Sequence, residues 1–251
     1  MKIHSFLLVL LLTLGLLSCD ALSQLPISTT SGNSSEPTDA QIGSGLKEAL
    51  NQGISKGVEQ LIKTDGYFGN ALIKILMPPE AQKVESIMRQ YVPGGERLIN
   101  DAILKMNRAA EDAANEAKPI FVNAITSMSI TDARNILFGP QNAATQYLKD
   151  KTLAGLTQAY APRINNSLSK VGATQAWNAL VTPYNNFANS AAGKLVKDAK
   201  PINPDLGAYV TEKALEGLFF KVTEEEKRIR EDISARSTKL LQDVFGLLDK
   251  K

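Results

Sequence analysis

Between Gly95 and Met128 the apolar residues recur three and four positions apart, and nothing else in the chain constrains the fold as strongly. Leu98, Ile99, Ala102, Ile103 and Met106 form the first two turns of the stripe. Ala109, Ala110, Ala113 and Ala117 follow, and then large side chains return at Ile120, Phe121, Ile125 and Met128, with Ala124 among them. The alanine turns lack bulk, so a neighbouring helix can approach closely there. Pro119 cannot donate to the helical ladder and predicts a kink or restart, with Lys118 drawn toward an extended conformation. The stretch therefore reads as a central pair of packing helices.

The remaining periodicity is also helical. Thr38 and Gln41 form a capping box ahead of a stripe through Ile42, Leu46, Leu50, Ile54, Val58 and Leu61. Ala49, Gly53 and Gly57 lie beside that stripe, and small residues every four positions predict a close helix crossing. Asp65-Gly66 and Pro78-Pro79 bracket a segment that can be either a short helix or an extended run. Helices are expected from Pro79 to Tyr91, from a Thr131 cap to Phe138, and over 142–170 with a bend near Pro162. Another opens at Thr174 and passes through Trp177, and a loop follows over 196–205. Asp205 caps a helix through Phe219, Thr223 with Glu226 reads as the capping box of a separate charged helix, and a last helix buries Leu240, Leu241, Val244, Phe245 and Leu248. No run alternates with period two for long enough to form a strand. The expected class is all-α, a multi-helix bundle forming a single globular domain over residues 39–251.

Ahead of that domain the chain carries an address. Lys2 precedes a largely apolar run of twelve residues, Phe6 to Leu17. A spanning helix needs about 20, so the run fits a secretory signal over residues 1–18. Leu16-Leu17-Ser18-Cys19 resembles the bacterial lipoprotein box. By that resemblance, cleavage follows Ser18 and Cys19 carries the lipid. Several acyl chains on one residue anchor stably, whereas a single chain is marginal. Residues 19–38 are rich in serine and threonine and read as a flexible tether, holding the domain about 25 Å from its anchor. Localisation in a bacterial cell envelope is the expectation, with the membrane as a partner through the lipid anchor and the choice of inner or outer membrane open.

His4 and Cys19 are the only histidine and cysteine, and both precede the domain. The body thus contains no imidazole and no thiol, which removes serine–histidine and cysteine–histidine catalysis, zinc sites and internal disulfides. No metal site and no cofactor is expected. The net charge of +2 is spread over interspersed basic and acidic residues, so no nucleic-acid partner is expected either.

Several short strings carry a family resemblance. They are Met106-Asn107-Arg108-Ala109-Ala110-Glu111, Phe121 to Met128, Asp132-Ala133 through Leu137, Ala143-Ala144-Thr145-x-Tyr147, Tyr209-Val210-Thr211 through Phe219, the Glu224–Glu231 charge run and Val244-Phe245-Gly246. Their order and spacing resemble the bacterial family known as domain of unknown function 4197, over most of residues 40–246. The resemblance implies a secreted, often lipid-anchored helical protein without an assigned activity.

The candidate polar residues are Asn107, Arg108, Glu111, Arg134 and Glu225. Asn107, Arg108 and Glu111 share one side of the central helix, where Arg108 can hold an anion or can lock neighbouring helices through Glu111. The Glu224–Glu231 run reads as a solvated helix face, because the usual carboxylate metal bundle needs a histidine that is absent. Ser44-x-x-Lys47 and Ser167-x-x-Lys170 match a pattern of penicillin-interacting enzymes, but the companion motifs are missing. Trp177, Tyr184, Phe187, Phe219 and Phe220 are either core residues or the lining of an apolar pocket. The reading is a non-enzymatic binding or scaffold module, with another envelope protein or a lipid as partner. The alternatives are a carrier of lipid or another apolar ligand, and a carboxylate- and arginine-based envelope hydrolase or transferase.

Overall fold

The computed structural model describes residues 36–91, 93–170, 172–195 and 200–249, without the side chains of residues 83, 84, 87, 88, 91 and 180. The expected signal, Cys19 and the expected tether up to residue 35 lie outside the described residues. Nine α-helices and no strand occur among the described residues, so the chain is all-α. None of these helices is long and apolar enough to cross a membrane.

Helix α1 (Asp39–Leu61) opens on the expected capping box: Thr38 Oγ1 accepts from the Gln41 amide at 3.3 Å, and the Gln41 side chain accepts from the Thr38 amide at 2.8 Å. Its small residues do mark a close crossing. A Cβ at Gly53 would lie 3.4 Å from Glu225 Cβ, and one at Gly57 3.7 Å from Lys221 Cβ, both on helix α8 (Leu206–Glu231). Gly45 is tighter still, since its Cβ would stand 2.7 Å from Val244 Cγ2 on helix α9 (Lys239–Phe245).

After α1 the chain turns and becomes extended instead of helical. A turn over residues 71–73 buries Ile73, and beyond it Ile75 and Met77 are buried while Leu76 is exposed, the two-residue alternation of an extended strip laid on a core. A 3₁₀ turn over Pro79–Ala81 leads into α2 (Gln82–Tyr91). The central pair is α3 (Gly95–Ala113) and α4 (Ala117–Thr126). The interruption falls earlier than Pro119 predicts, as a 3₁₀ turn over Ala114–Glu116. Lys118 is helical, and Pro119 occupies the third position of α4, where an amide would have no partner within the helix. Ala109, Ala110, Ala113, Ala114 and Ala117 are all at most 1 % exposed, and both α1 and α6 (Ala143–Lys170) pack against this segment.

Helix α5 (Ile130–Leu137) is capped by Ser129 with Asp132, two residues before the expected Thr131. Ser129 supplies the hydroxyl acceptor and Asp132 the reciprocal carboxylate, so the box is displaced but of the same kind. Helix α6 runs unbroken through Pro162, and Gly172, with a positive φ of 69°, leads into α7 (Ala173–Asn189). The largest correction concerns α8, which is one helix where two were expected. Thr223 donates its hydroxyl to the Phe219 carbonyl four residues back, at 2.9 Å, and so does not cap anything. Phe219 meets Phe121 of α4 edge to face, with ring centroids 5.9 Å apart.

Candidate functional site

On α3, Asn107, Arg108 and Glu111 do share one side of the helix, and all three hold the turn and extended strip that follow α1. Asn107 is fully buried. Its Oδ1 accepts from the Ile75 amide at 2.9 Å, while its Nδ2 donates to the Ile75 carbonyl at 2.8 Å and to Ile103 at 2.7 Å. One side-chain amide thereby replaces the neighbouring strand that the extended strip lacks. Glu111, 5 % exposed, accepts through Oε1 from the Tyr67 and Phe68 amides at 3.1 and 3.3 Å. Its Oε2 accepts from Arg108 Nη1 at 2.6 Å, and Arg108 Nη2 reaches Asp65 at 2.7 Å. Hydrogen bonds to Glu111 and then Asp65 hold the Arg108 guanidinium above its ordinary pKa.

Tyr67 completes the attachment. Its hydroxyl donates to the Ala214 carbonyl of α8 at 2.7 Å, and its ring fills the space left by Gly217, where a Cβ would lie 2.7 Å from Tyr67 Cε1. Burial, then the nearby Tyr160 and Glu111, push the Tyr67 phenol well above its ordinary pKa.

Arg134 and Glu225 stand elsewhere. Arg134 of α5 pairs with Asp39 at the start of α1. Glu225 of α8 is buried against α1, pairs with Arg228 and accepts from Gln60 at 3.4 Å. The five residues therefore form three separate tie points. Among the described residues, no three carboxylates, histidines or cysteines gather as a metal-holding group. Lys47 donates to the Thr126 carbonyl and the Ser167 hydroxyl to Asp112, so neither Ser-x-x-Lys string assembles a serine–lysine pair.

The charge run on α8 holds a polar group that the solvated-face reading missed. Glu226 and Arg230 are 7 % and 8 % exposed and pair at 3.0 Å. Glu226 accepts from the Ala144 and Thr145 amides and the Thr145 hydroxyl, so its carboxylate caps the start of α6. Arg230 donates to the Ile136 and Leu137 carbonyls, so its guanidinium caps the end of α5. Each charge meets the helix end of opposite polarity. Arg236 does the same for α8, donating to the Ile229 and Arg230 carbonyls and pairing with Asp249. A signal for this was present: Leu218, Val222, Glu225, Glu226 and Ile229 continue one three-four stripe, and the two glutamates lie on its buried side.

The aromatic candidates do not share a pocket. Trp177, Tyr184, Phe219 and Phe220 belong to the core or pack against it, and Phe187 is exposed. Of the grooves on the surface of the described residues, two have the most apolar walls. One, of about 600 Å³, runs between α6 and α8 from Lys149 to Asp205. The other, of about 340 Å³, lies between α3 and α7, and Trp177 forms part of its wall. The second is the more uniformly apolar, lined by Leu98, Ala102, Met106, Ala173, Ala176 and Trp177 among others.

Among curated proteins and among solved structures, the chain has no match. A family model described as a protein of unknown function, DUF4197, matches residues 36–246, which takes in every helix described above. The chain belongs to the DUF4197 family.

Proposed function

We propose that this chain is an exported, lipid-anchored domain of the bacterial cell envelope that works as a non-enzymatic binding or scaffold module. The observation that carries the reading is the placing of Cys19. It is the only cysteine in the chain, and it stands at the junction between a short apolar run and a serine- and threonine-rich tether. The engagement of the polar candidates supports the non-enzymatic part. Asn107 and Glu111 spend their hydrogen bonds on backbone groups and on Arg108, and Arg134 and Glu225 pair with other partners. A hydrolase or transferase built from these groups requires them to converge on one open cleft.

Metabolic labelling with a radioactive fatty acid tests the anchor. The full chain is expected to take up label and to sediment with membranes, and Cys19→Ala is expected to lose both. An unlabelled full chain in the cytosolic fraction would end the proposal.

A further inference from the structure

We infer that the cleft between α3 and α7 binds a single acyl chain of an amphiphile, leaving the head group in water. Its floor is hydrocarbon and thioether, supplied by Met77, Ile99 and Met106. Methionine side chains adapt to irregular apolar ligands. Trp177 donates its indole N–H to the Asn203 carbonyl at 3.3 Å, so its polar atom is already engaged. The charged residues of the lining, Asp101 and Lys105, pair with each other at 2.6 Å and stand partly exposed. A peptide or sugar brings polar groups that must find partners on burial, and the cleft wall has few to offer.

Size narrows the occupant further. A helix is about 10 Å across with its side chains and rises 5.4 Å per turn. The cleft, at about 340 Å³, therefore accepts less than one helical turn, whereas part of a hydrocarbon chain can lie in it. The volume falls within the usual span of small-ligand sites, about 300–1,000 Å³. The tether supplies access to such a ligand. The sixteen residues from 20 to 35 extend to about 55 Å at most, enough to bring the domain to a bilayer that holds Cys19. Only this source of the ligand rests on the proposed anchor; the chemistry of the cleft does not.

Trp177 is the only tryptophan of the chain, so its fluorescence reports this wall alone. The full chain is mixed with phosphatidylcholine vesicles and titrated with 9,10-dibromostearate, whose bromines quench indole at short range, with stearate as the control. Saturable quenching by the brominated acid is expected. Ala176→Phe and Leu98→Asp alter exposed positions of the cleft, and each is expected to weaken the probe about tenfold or more with an unchanged melting temperature. A second arm replaces the vesicles with brominated phosphatidylcholine. Quenching there assigns the ligand to the bilayer, and quenching by the free acid alone assigns it to a soluble fatty acid. Absence of quenching in both arms overturns the inference, as does quenching that both variants leave intact. Flotation of the same vesicles reads the anchor separately, so failure of the cleft and failure of the anchor give different results.

Discussion

Asn107 shows how one amide can hold a segment that has no secondary-structure partner of its own. Its three hydrogen bonds are made in full burial, and two of them satisfy the backbone of Ile75. Asn107→Ala leaves that backbone N–H and C=O without these partners, and each buried orphan costs about 1–3 kcal/mol. A loss of about 3 kcal/mol is expected in urea denaturation; a loss below about 1 kcal/mol would mean that the strip is held by its apolar side chains instead. Glu226 is the stricter case. Glu226→Gln keeps the shape but leaves the Arg230 charge uncompensated among the ends of α5 and α6, and breaking such a buried pair costs about 3–5 kcal/mol. Replacing both Glu226 and Arg230 by apolar residues is expected to cost less than the sum of the single changes, which a double-mutant cycle would read as coupling.

At the level of elements, the helices were legible because their caps and stripes are local. Thr38 with Gln41, and Asp205 with the Ala208 amide, act as their sequence contexts indicate. Thr223 did not, because a threonine beside glutamates looks the same whether it caps a helix or bonds back to the preceding turn. The row of Asn107, Arg108 and Glu111 was also legible, being fixed by helical spacing. What they hold was not, since Asp65, Tyr67, Phe68 and Ile75 come from an aperiodic stretch. Arg134 and Glu225 could not be placed because Asp39 and Gln60 lie 95 and 165 residues away. Packing of one element against another is close at Gly217, where a Cβ on α8 would lie 2.7 Å from the Tyr67 ring and 3.2 Å from Ile73. Gly217→Ala gains about 1 kcal/mol of helix propensity but overpacks against a ring pinned at its hydroxyl, at about 1–3 kcal/mol. A net loss is expected from thermal melts, with the loss reduced in Gly217→Ala, Tyr67→Phe because the ring is then freed to shift.

Across the whole domain, the absence of histidine and the burial of two tyrosines set the dependence of stability on pH. Ser129 and Arg236 hold the Asp132 and Asp249 carboxyls below the usual range, so their contributions are present above the ordinary carboxylate pKa and are lost as pH falls through the depressed one. At the alkaline end Tyr67 and Tyr160 decide. Burial raises both phenols above the ordinary value of about 10, so the stability linked to their neutral forms is complete below that pH and is lost as pH rises through the raised folded-state value. No imidazole in the domain titrates between these limits. Melting temperature is therefore expected to be nearly flat from about pH 5 to 9 and to fall above about pH 10. Absorbance at 295 nm gives the molecular cause: Tyr67 and Tyr160 should ionise only as the chain unfolds, after the more accessible phenols. The two also differ from each other. Tyr160 buries a hydroxyl with no hydrogen-bond partner among the described residues, whereas Tyr67 donates to Ala214. Tyr160→Phe is then expected to be neutral or stabilising, and Tyr67→Phe to cost about 1 kcal/mol. If the phenolate signal of all tyrosines instead developed below the unfolding pH, the packing of α6 and α8 around these two rings would have to be open to water.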